Sequence, residues 1–417
     1  MSFADTYFKR FQSGSTFISE KPNEDLFLSI VIPSFNEDYL CKSLQSIKNC
    51  KSPEKSVEVI VIINSSEDTP ADILNKNKKT YKDALKFAEK NNSERLKFFI
   101  INLENLPGKF AGVGLARKTG MDEALRRFNF SNKPEGLIAG FDADALLEKN
   151  YLTEIENYFS KYPKTNAASI NFEHPLAGND FEEEIYKSII NYELHLRYFI
   201  ESLRFANFPF AFHTIGSSFV VKADVYAKQG GMNRKKAGED FYFLQKIIPL
   251  GNYGEINTTK VIPSPRISDR VPFGTGAAVS KMIETNARDF GTYNFDSFLL
   301  LKSFFSDIDK LFSDSSLNNI PEPMQNFLNI NNFENDLVKI KSNSSNINSF
   351  KKRFFDWFNA FRVIKFLNFS HEKHYQKVPV QYEAETLLKK YYPKINIPET
   401  EKELLLLYRK IQTQTAI

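Results

Sequence analysis

The sequence predicts an α/β fold with a mainly parallel central sheet, followed by a largely helical C-terminal region. Four short apolar runs have the length and composition of buried strands: 28–32, 57–63, 97–102 and 136–141. Segments with the spacing of amphipathic helices lie between them, for example 40–47 and 113–128. Because strands that alternate with helices form parallel sheets covered by helices, this pattern predicts one such sheet.

The pattern changes after residue 142. The apolar spacing predicts a long helix from about 181 to 205, and an extended run, "TIGSSFVV", follows it. The stretch 263–276 carries three prolines and two glycines, so we predict a long loop there. Beyond about 281 the chain is predicted to be helical, with a surface connection at 341–349. The predicted parts are therefore an N-terminal extension at 1–27, a main domain at 28–280 and a helical region at 281–417, which would bind an acceptor or partner.

The composition argues against several classes of protein. The chain has 417 residues, 42% hydrophobic and 25% charged, which is enough for one large domain and a smaller one. Its 55 basic and 51 acidic side chains give a net charge of only +4, which argues against a nucleic-acid partner. The two cysteines, Cys41 and Cys50, lack the spacing of a zinc site or a disulfide framework. With no signal-peptide pattern and no apolar run of about 18 residues, we expect a cytoplasmic protein.

Polar residues follow each of the first four predicted strands. Ligands of an open parallel sheet bind beyond the carboxyl ends of its strands, where loops and helix N-termini converge. Asp142 and Asp144 follow the fourth strand, and an extended Asp-Ala-Asp points both carboxylates to one side. Such a pair can hold a hard divalent cation, which in turn can bind a diphosphate. The alternative is a polar turn that caps the helix beginning near "KNYLTEIENYF".

Six blocks of the chain resemble, in order and in spacing, those of family 2 nucleotide-sugar glycosyltransferases: "LSIVIPSFNED", "VEVIVIINSSEDT", "GVGLARKTGMDEAL", "LIAGFDADALLEKNYL", "IGSSFVVKADVYAKQGGM" and "AGEDFYFLQKI". The resemblance spans roughly residues 28–250. It implies the Rossmann-like glycosyltransferase A fold for a catalytic domain at 28–280. It also implies a nucleoside diphosphate sugar donor, a hydroxyl acceptor, a Mn or Mg ion and, by default, inversion at the anomeric carbon, in glycan or glycolipid biosynthesis.

The resemblance also assigns residues to the donor. Pro33, Asn36 and Glu37 would line the nucleotide pocket. Asp142 and Asp144 would contact the ribose and the metal-bound diphosphate, with Asp144 the better metal ligand. These assignments are carried over by position in the matching blocks.

Two further donor contacts follow from the same blocks. Arg117 lies one turn into a helix that opens at Gly112 and Gly114, beside the expected diphosphate, and a surface salt bridge is its alternative role. The sequence departs from the family at the second strand, where Ile63 and Asn64 replace two acidic residues. This leaves the nucleotide, UDP, GDP or dTDP, undetermined, although Asn64 can hydrogen-bond a base or ribose, or simply form a turn.

On the acceptor side, the resemblance implies that Asp240 is the catalytic base and that Glu239 precedes it at a helix start. Acidic residues are also common at helix starts for electrostatic reasons alone. His213 and Gly216 belong to the acceptor-side segment. His213 would bind the acceptor or a metal, or serve a structural role.

Arg266 and Arg270 lie in the predicted loop at 263–276. Two arginines there can neutralise the departing diphosphate if the loop closes over the site, which would also exclude water. A static loop with both arginines in surface ion pairs is the alternative.

Other functions compete with sugar transfer. Sugar nucleotidyl transfer would require a glycine-rich loop after the first strand, and "IPSFNED" has no glycine. A catalytically decayed nucleotide-sugar-binding or scaffold protein is the second alternative, because of Ile63 and Asn64. The Lys-, Arg- and Phe-rich segment 350–369 is predicted to be core, with peripheral contact to the inner face of the cell membrane as its alternative.

Overall fold

The structure, a computed structural model, describes residues 2–11, 16–268, 274–285, 290–313 and 320–414. Its main sheet has eight strands: β1 (Leu28–Ser34), β2 (Val57–Ser66), β3 (Leu96–Leu106), β4 (Leu137–Gly140), β5 (Leu146–Leu147), β6 (Ala167–Phe172), β7 (Phe219–Lys222) and β8 (Tyr253–Ile262). A second, two-stranded sheet pairs β9 (Gly291–Thr292) with β10 (Val378–Pro379).

The helices up to β8 are α1 (Asp5–Phe11), α2 (Leu40–Lys48), α3 (Ala71–Asn91), α4 (Val113–Phe130), α5 (Tyr151–Lys161), α6 (Glu183–Phe205), α7 (Ala223–Lys228) and α8 (Glu239–Ile247). Those after β8 are α9 (Thr275–Glu284), α10 (Phe295–Ser306), α11 (Ile308–Ser313), α12 (Glu322–Ile330), α13 (Phe333–Ser342), α14 (Ile347–Trp357), α15 (Ala360–Lys373), α16 (Val380–Tyr391) and α17 (Glu401–Gln414). The predicted helical C-terminal region is thus confirmed.

The chain divides into two compact units. The first comprises Met1–Gly178, Thr214–Ala277 and Thr413–Ile417 and contains the eight-stranded sheet. The second comprises Asn179–His213 and Ala278–Gln412. The functional division at residues 28 and 281 stays a prediction.

The sheet of the first unit has the order β3-β2-β1-β4-β7-β6-β8-β5. Four of its seven strand pairings are parallel, so the predicted mainly parallel α/β fold is confirmed. β1 pairs in parallel with β2 on one side and β4 on the other, and all seven of its residues are buried. This continuous apolar strand is typical of a sheet covered on both faces. The carboxyl ends of three neighbouring strands consequently lie at one edge, where the polar segments follow.

The second half of the sheet is mixed. β7 runs antiparallel to both β4 and β6, while β8 runs parallel to β6. Within the predicted extended run "TIGSSFVV", regular pairing begins only at Phe219. The residues before it approach other parts of the chain closely, as described for Gly216 below.

The second unit has a core of phenylalanine rings. Phe304, Phe354 and Phe358 lie within 6.1 Å of one another, centroid to centroid, and all three are buried. Two of these rings come from 350–369, which matches its predicted core role. The predicted connection at 341–349 is shorter than expected because Asn346 and Ser349 form a capping box that starts α14.

None of the helices in the described part of the chain combines the length and apolar character needed to cross a membrane.

Candidate active site

The candidate site lies in the first unit, at the carboxyl ends of β1 and β4 and at the start of α8. Among the residues that the structure describes, five carboxylates and two guanidinium groups contribute to it, for a formal charge of −3: Glu37, Asp142, Asp144, Glu239, Asp240, Arg117 and Arg266. Glu37 and Asp142 come from segments that directly follow parallel neighbours in the sheet. The predicted convergence of the strand-end acids is therefore present in the structure, while their roles stay predictions.

Arg117 joins two of the acids. Its Nη2 atom donates a hydrogen bond of 2.6 Å to Oδ1 of Asp142, and its Nη1 atom donates to Glu239. The side chain is 3% exposed, so this is a buried charge network and not the alternative surface salt bridge. Burial alone would lower the pKa of the guanidinium, but the charges of Glu239, Asp142 and Asp240 outweigh it and raise the pKa.

Two glycines make this arrangement possible. A Cβ atom on Gly114 would lie 2.0 Å from the carbonyl oxygen of Lys235, so the first turn of α4 can approach the segment before α8 only without a side chain. A Cβ atom on Gly216 would lie 2.8 Å from Oδ2 of Asp240 and 3.0 Å from the guanidinium of Arg117. Gly216, predicted on the acceptor side, therefore lies directly against the candidate base.

Arg266 joins the other two strand-end acids. Its Nε atom donates a 2.7 Å hydrogen bond to Oδ2 of Asp144, and its Nη2 atom donates to Glu37. Burial and the charge of Asp144 raise the pKa of Glu37, and the Arg266 guanidinium opposes that rise. The alternative of a surface ion pair for Arg266 therefore does not hold, because the guanidinium pairs within the acid cluster, while its predicted contact with the diphosphate stays a prediction. Arg270 lies outside the described residues.

Two aspartates of the site have raised pKa values. Burial raises the pKa of Asp240 to about 6, with a further contribution from Glu239, while Arg117 opposes it. Burial likewise raises the pKa of Asp142 to about 6, against the opposing charge of Arg117, although 41% of its side chain is exposed to solvent. An aspartate with a pKa near 6 can accept a proton from a substrate and release it near neutral pH.

The predicted nucleotide residues lie around the end of β1. Pro33 is buried and pairs with Ile62 of β2. Asn36 has a left-handed backbone with a φ of 50°, and its N–H donates to Oδ1 of Asn77 at 2.9 Å. Sequence reasoning missed Asn77, whose signal is a polar residue at a buried position of α3.

Asn64 lies near the end of β2, at the position where the family carries an acid. Its Nδ2 atom donates a 3.1 Å hydrogen bond to the carbonyl of Gly112, just before α4. The amide therefore holds the strand end to the start of the helix that carries Arg117. This contact is structural, and a direct contact to a nucleotide stays a prediction.

His213 belongs to the second unit. Its Nε2 atom lies 3.1 Å from Oε1 of Gln412, and burial, together with the charges of Arg197 and Arg204, lowers its pKa to about 3. The ring is therefore neutral at physiological pH. Its predicted contact with acceptor or metal stays a prediction.

The acids suit a cation only in part. Among the described residues, no group of three or more His, Cys, Asp or Glu side chains is arranged to hold a metal ion. Mg²⁺ is commonly bound by one or two carboxylates together with substrate phosphates. Asp142 and Asp144 therefore fit a cation that is shared with a bound diphosphate.

The fold and this acidic strand-end site are those of an α/β enzyme. Residues 29–226 match the model of glycosyl transferase family 2. This region of the chain is similar to that family, and the protein is a glycosyltransferase. The match ends before α8, so it includes Arg117 and Asp142 but not Asp240.

Solved structures and curated proteins give two further findings. The chain is similar to S. aureus TarS residues 1–349 in complex with UDP-GlcNAc, with 16% identity, a TM-score of 0.41, and coverage of 84% of this chain and 92% of that one. The complex of the same TarS fragment with UDP has 15% identity, a TM-score of 0.38 and the same coverage. No curated protein matches the chain.

Proposed function

We propose that the protein transfers a sugar from a nucleoside diphosphate donor to a hydroxyl acceptor, with inversion, using Mn²⁺ or Mg²⁺ at Asp142 and Asp144. The observation that carries the proposal is the buried Arg117, which holds a strand-end aspartate and the start of α8 in one network. Asp240, the proposed base, lies close to the same guanidinium across Gly216, which supports a donor site next to it. The pathway would be glycan or glycolipid biosynthesis, and the location the cytoplasm or the inner face of the cell membrane.

The donor would lie over the ends of β1, β2 and β4. Its nucleoside would contact Pro33, Asn36 and Asn64, and its diphosphate would face Asp144 and Arg266. A bound Mn²⁺ or Mg²⁺ supplies positive charge that neutralises the diphosphate as it departs. Arg266 adds a second positive charge at the same point, in a half-buried position where such charge is effective.

Asp240 would act as the base. As the acceptor oxygen forms a bond to the anomeric carbon, the bond from that carbon to the diphosphate breaks and the hydroxyl proton passes to Asp240. A single displacement of this kind inverts the anomeric centre. The raised pKa of Asp240, about 6, suits this role because the carboxylate is ionised at neutral pH and basic enough to take the proton.

The donor site is tested by thermal unfolding with UDP, GDP and dTDP, each with and without Mn²⁺. We expect one nucleotide to raise the melting temperature in a Mn²⁺-dependent way, and Asp144→Ala to abolish that rise. Asp38→Ala is the matched control, because Asp38 is an exposed acid of the neighbouring loop that pairs with Lys76. Equal increases in melting temperature for wild type and Asp144→Ala would contradict the proposed role of Asp144 in the donor site.

Arg266→Gln should strengthen Mn²⁺ binding in the absence of nucleotide. The Arg266 guanidinium is paired with Asp144 and Glu37 in the structure, so without nucleotide a metal cation must displace it from these carboxylates. When a diphosphate is bound, the displaced guanidinium can pair with the phosphate instead. We expect about tenfold tighter Mn²⁺ binding, measured by electron paramagnetic resonance, for the loss of one competing charge. Lys260→Gln, which removes a half-buried lysine paired with Glu173, is the control of equal charge. Equal affinities in the two variants would refute the competition.

A nucleotide-sugar-binding protein without turnover is the second candidate, because Ile63 and Asn64 stand where the family has acids. For such a protein, the nucleotide should raise the melting temperature in the same way, but no sugar transfer should be detected. Any transfer that depends on Asp240 would eliminate it.

A further inference from the structure

A basic and aromatic surface borders the candidate active site. It is called the basic rim here and consists of Lys109, Phe110, Arg234, Lys235, Lys236 and Tyr242, all exposed. Its two aromatic side chains are exposed to solvent, Phe110 by 39% and Tyr242 by 37%. Such a surface offers apolar ring faces and positive charges side by side.

Contacts between its members join the basic rim into one patch. The ammonium of Lys235 lies 3.4 Å from the ring centroid of Tyr242. The guanidinium of Arg234 and the ammonium of Lys109 lie 6.0 and 5.5 Å from the ring centroid of Phe110. Three of the four positive charges of the rim therefore lie against the two rings, and the fourth, Lys236, follows Lys235 in the sequence.

The basic rim is continuous with the acid site. Tyr242 lies one turn after Glu239 on α8, and Asn233 donates a 2.9 Å hydrogen bond to the carbonyl of Glu239. The backbone of Lys235 packs against Gly114, in the first turn of the helix that carries Arg117. A molecule bound on the rim would thus reach the side of the site where Asp240 lies.

The cations of the basic rim lack internal counter-charges. Within the described ranges, none of the four forms an ion pair with an acidic side chain. Two acids of the adjoining loop, Glu67 and Asp68, approach Gly108 at one end of the patch. These four cations form a positive surface next to the acid site, whose formal charge is −3. The two surfaces therefore suit different parts of a substrate, and the rim suits a part other than the reacting hydroxyl.

We propose that the basic rim binds the acceptor, and that the acceptor is an anionic carbohydrate whose sugar units carry phosphate or carboxylate groups. This inference rests on the proposed function. The aromatic rings offer flat faces for sugar rings, and the adjacent ammonium and guanidinium groups pair with the anionic groups. Lys235 and Tyr242 are close enough that one anionic sugar unit contacts both.

The test compares matched charge removals on the full-length protein. Arg234→Gln/Lys235→Gln/Lys236→Gln removes three rim charges, and Lys82→Gln/Lys86→Gln/Lys90→Gln removes three exposed lysines of α3. Binding is measured by calorimetry with a heparin-derived oligosaccharide, neutral dextran fragments, inorganic polyphosphate and phosphatidylglycerol vesicles. Tyr242→Ala tests the ring separately. Nucleotide-induced thermal shifts are recorded for every variant, so that loss of the donor site is distinguished from loss of the rim.

We expect the rim triple variant to bind the heparin-derived oligosaccharide about tenfold more weakly, and the α3 triple variant to stay within about threefold of wild type. Tyr242→Ala should weaken oligosaccharide binding but leave polyphosphate binding unchanged. Equal losses in the two triple variants, no binding of the oligosaccharide by wild type, or binding of vesicles in its place would overturn the proposal. A missing nucleotide shift in wild type would instead remove the proposed function.

Discussion

Asp240→Asn should lower the rate of sugar transfer by about 10³-fold while leaving the nucleotide-induced thermal shift intact. The amide cannot accept the hydroxyl proton, but it keeps the shape of the side chain against Gly216 and Arg117. For wild type, kcat/KM should rise with pH through about 6, because Asp240 must be ionised. Transfer is measured as nucleotide release that depends on acceptor, with Asp38→Asn as the control. A rate within about tenfold of wild type would remove Asp240 from the base role.

The same substitution should stabilise the protein. The pKa of Asp240 is raised in the folded state. Its favourable contribution to the free energy of unfolding is therefore complete below the pKa of the unfolded chain and is lost as pH rises through about 6. At pH 8 the folded state therefore carries an unfavourable charge that asparagine removes. After allowance for solvent, we expect a gain of about 1 kcal/mol in the free energy of unfolding at pH 8 and none at pH 4.

Arg117→Gln should lower the free energy of unfolding by about 3 kcal/mol at pH 8, because it leaves buried acids without their counter-charge. At pH 5 Asp142 and Asp240 are largely protonated and no longer carry an unpaired negative charge, so the decrease in the free energy of unfolding should be smaller than at pH 8. Urea unfolding at the two pH values measures both effects. Nucleotide binding should also be lost at pH 8, since Asp142 loses the group that orients it.

Two companion variants make this result specific. Arg126→Gln on the same helix removes a more exposed arginine, 24% accessible and paired with Glu123, and should cost less than about 1 kcal/mol. Arg117→Gln/Glu239→Gln should recover part of the loss, because the most buried unpaired acid is then neutral. A small loss that is equal at both pH values would show that Arg117 does not hold the acid network together.

The sequence predicted the strands and the acids that follow them because both signals are local. The apolar run at β1 and the Asp-Ala-Asp after β4 each occupy a few consecutive residues, and parallel pairing brings their ends together. The family resemblance extended this to Asp240. The start of α14 was missed because the Asn346–Ser349 capping box lies within a stretch whose composition favours a loop.

The pairing of the site charges could not be predicted from the sequence. Arg266 reaches Asp144 across 122 positions and Glu37 across 229, and nothing in the local pattern identifies either partner. The role of Asn77 beside Asn36 depends on how α3 packs against the loop after β1. Pairings of this kind follow from packing between distant segments, which sequence periodicity does not encode.

The most direct measurement of the central claim is a crystal structure of the protein with Mn²⁺ and the nucleotide that gives the largest thermal shift. Anomalous scattering then locates the manganese directly. We expect a manganese peak in contact with the Asp144 carboxylate and the diphosphate, with the nucleoside over Pro33 and Asn36 and with Arg266 moved from Asp144 to the phosphate. A nucleotide bound away from the ends of β1 and β4, or a manganese ion that contacts neither aspartate, would contradict it.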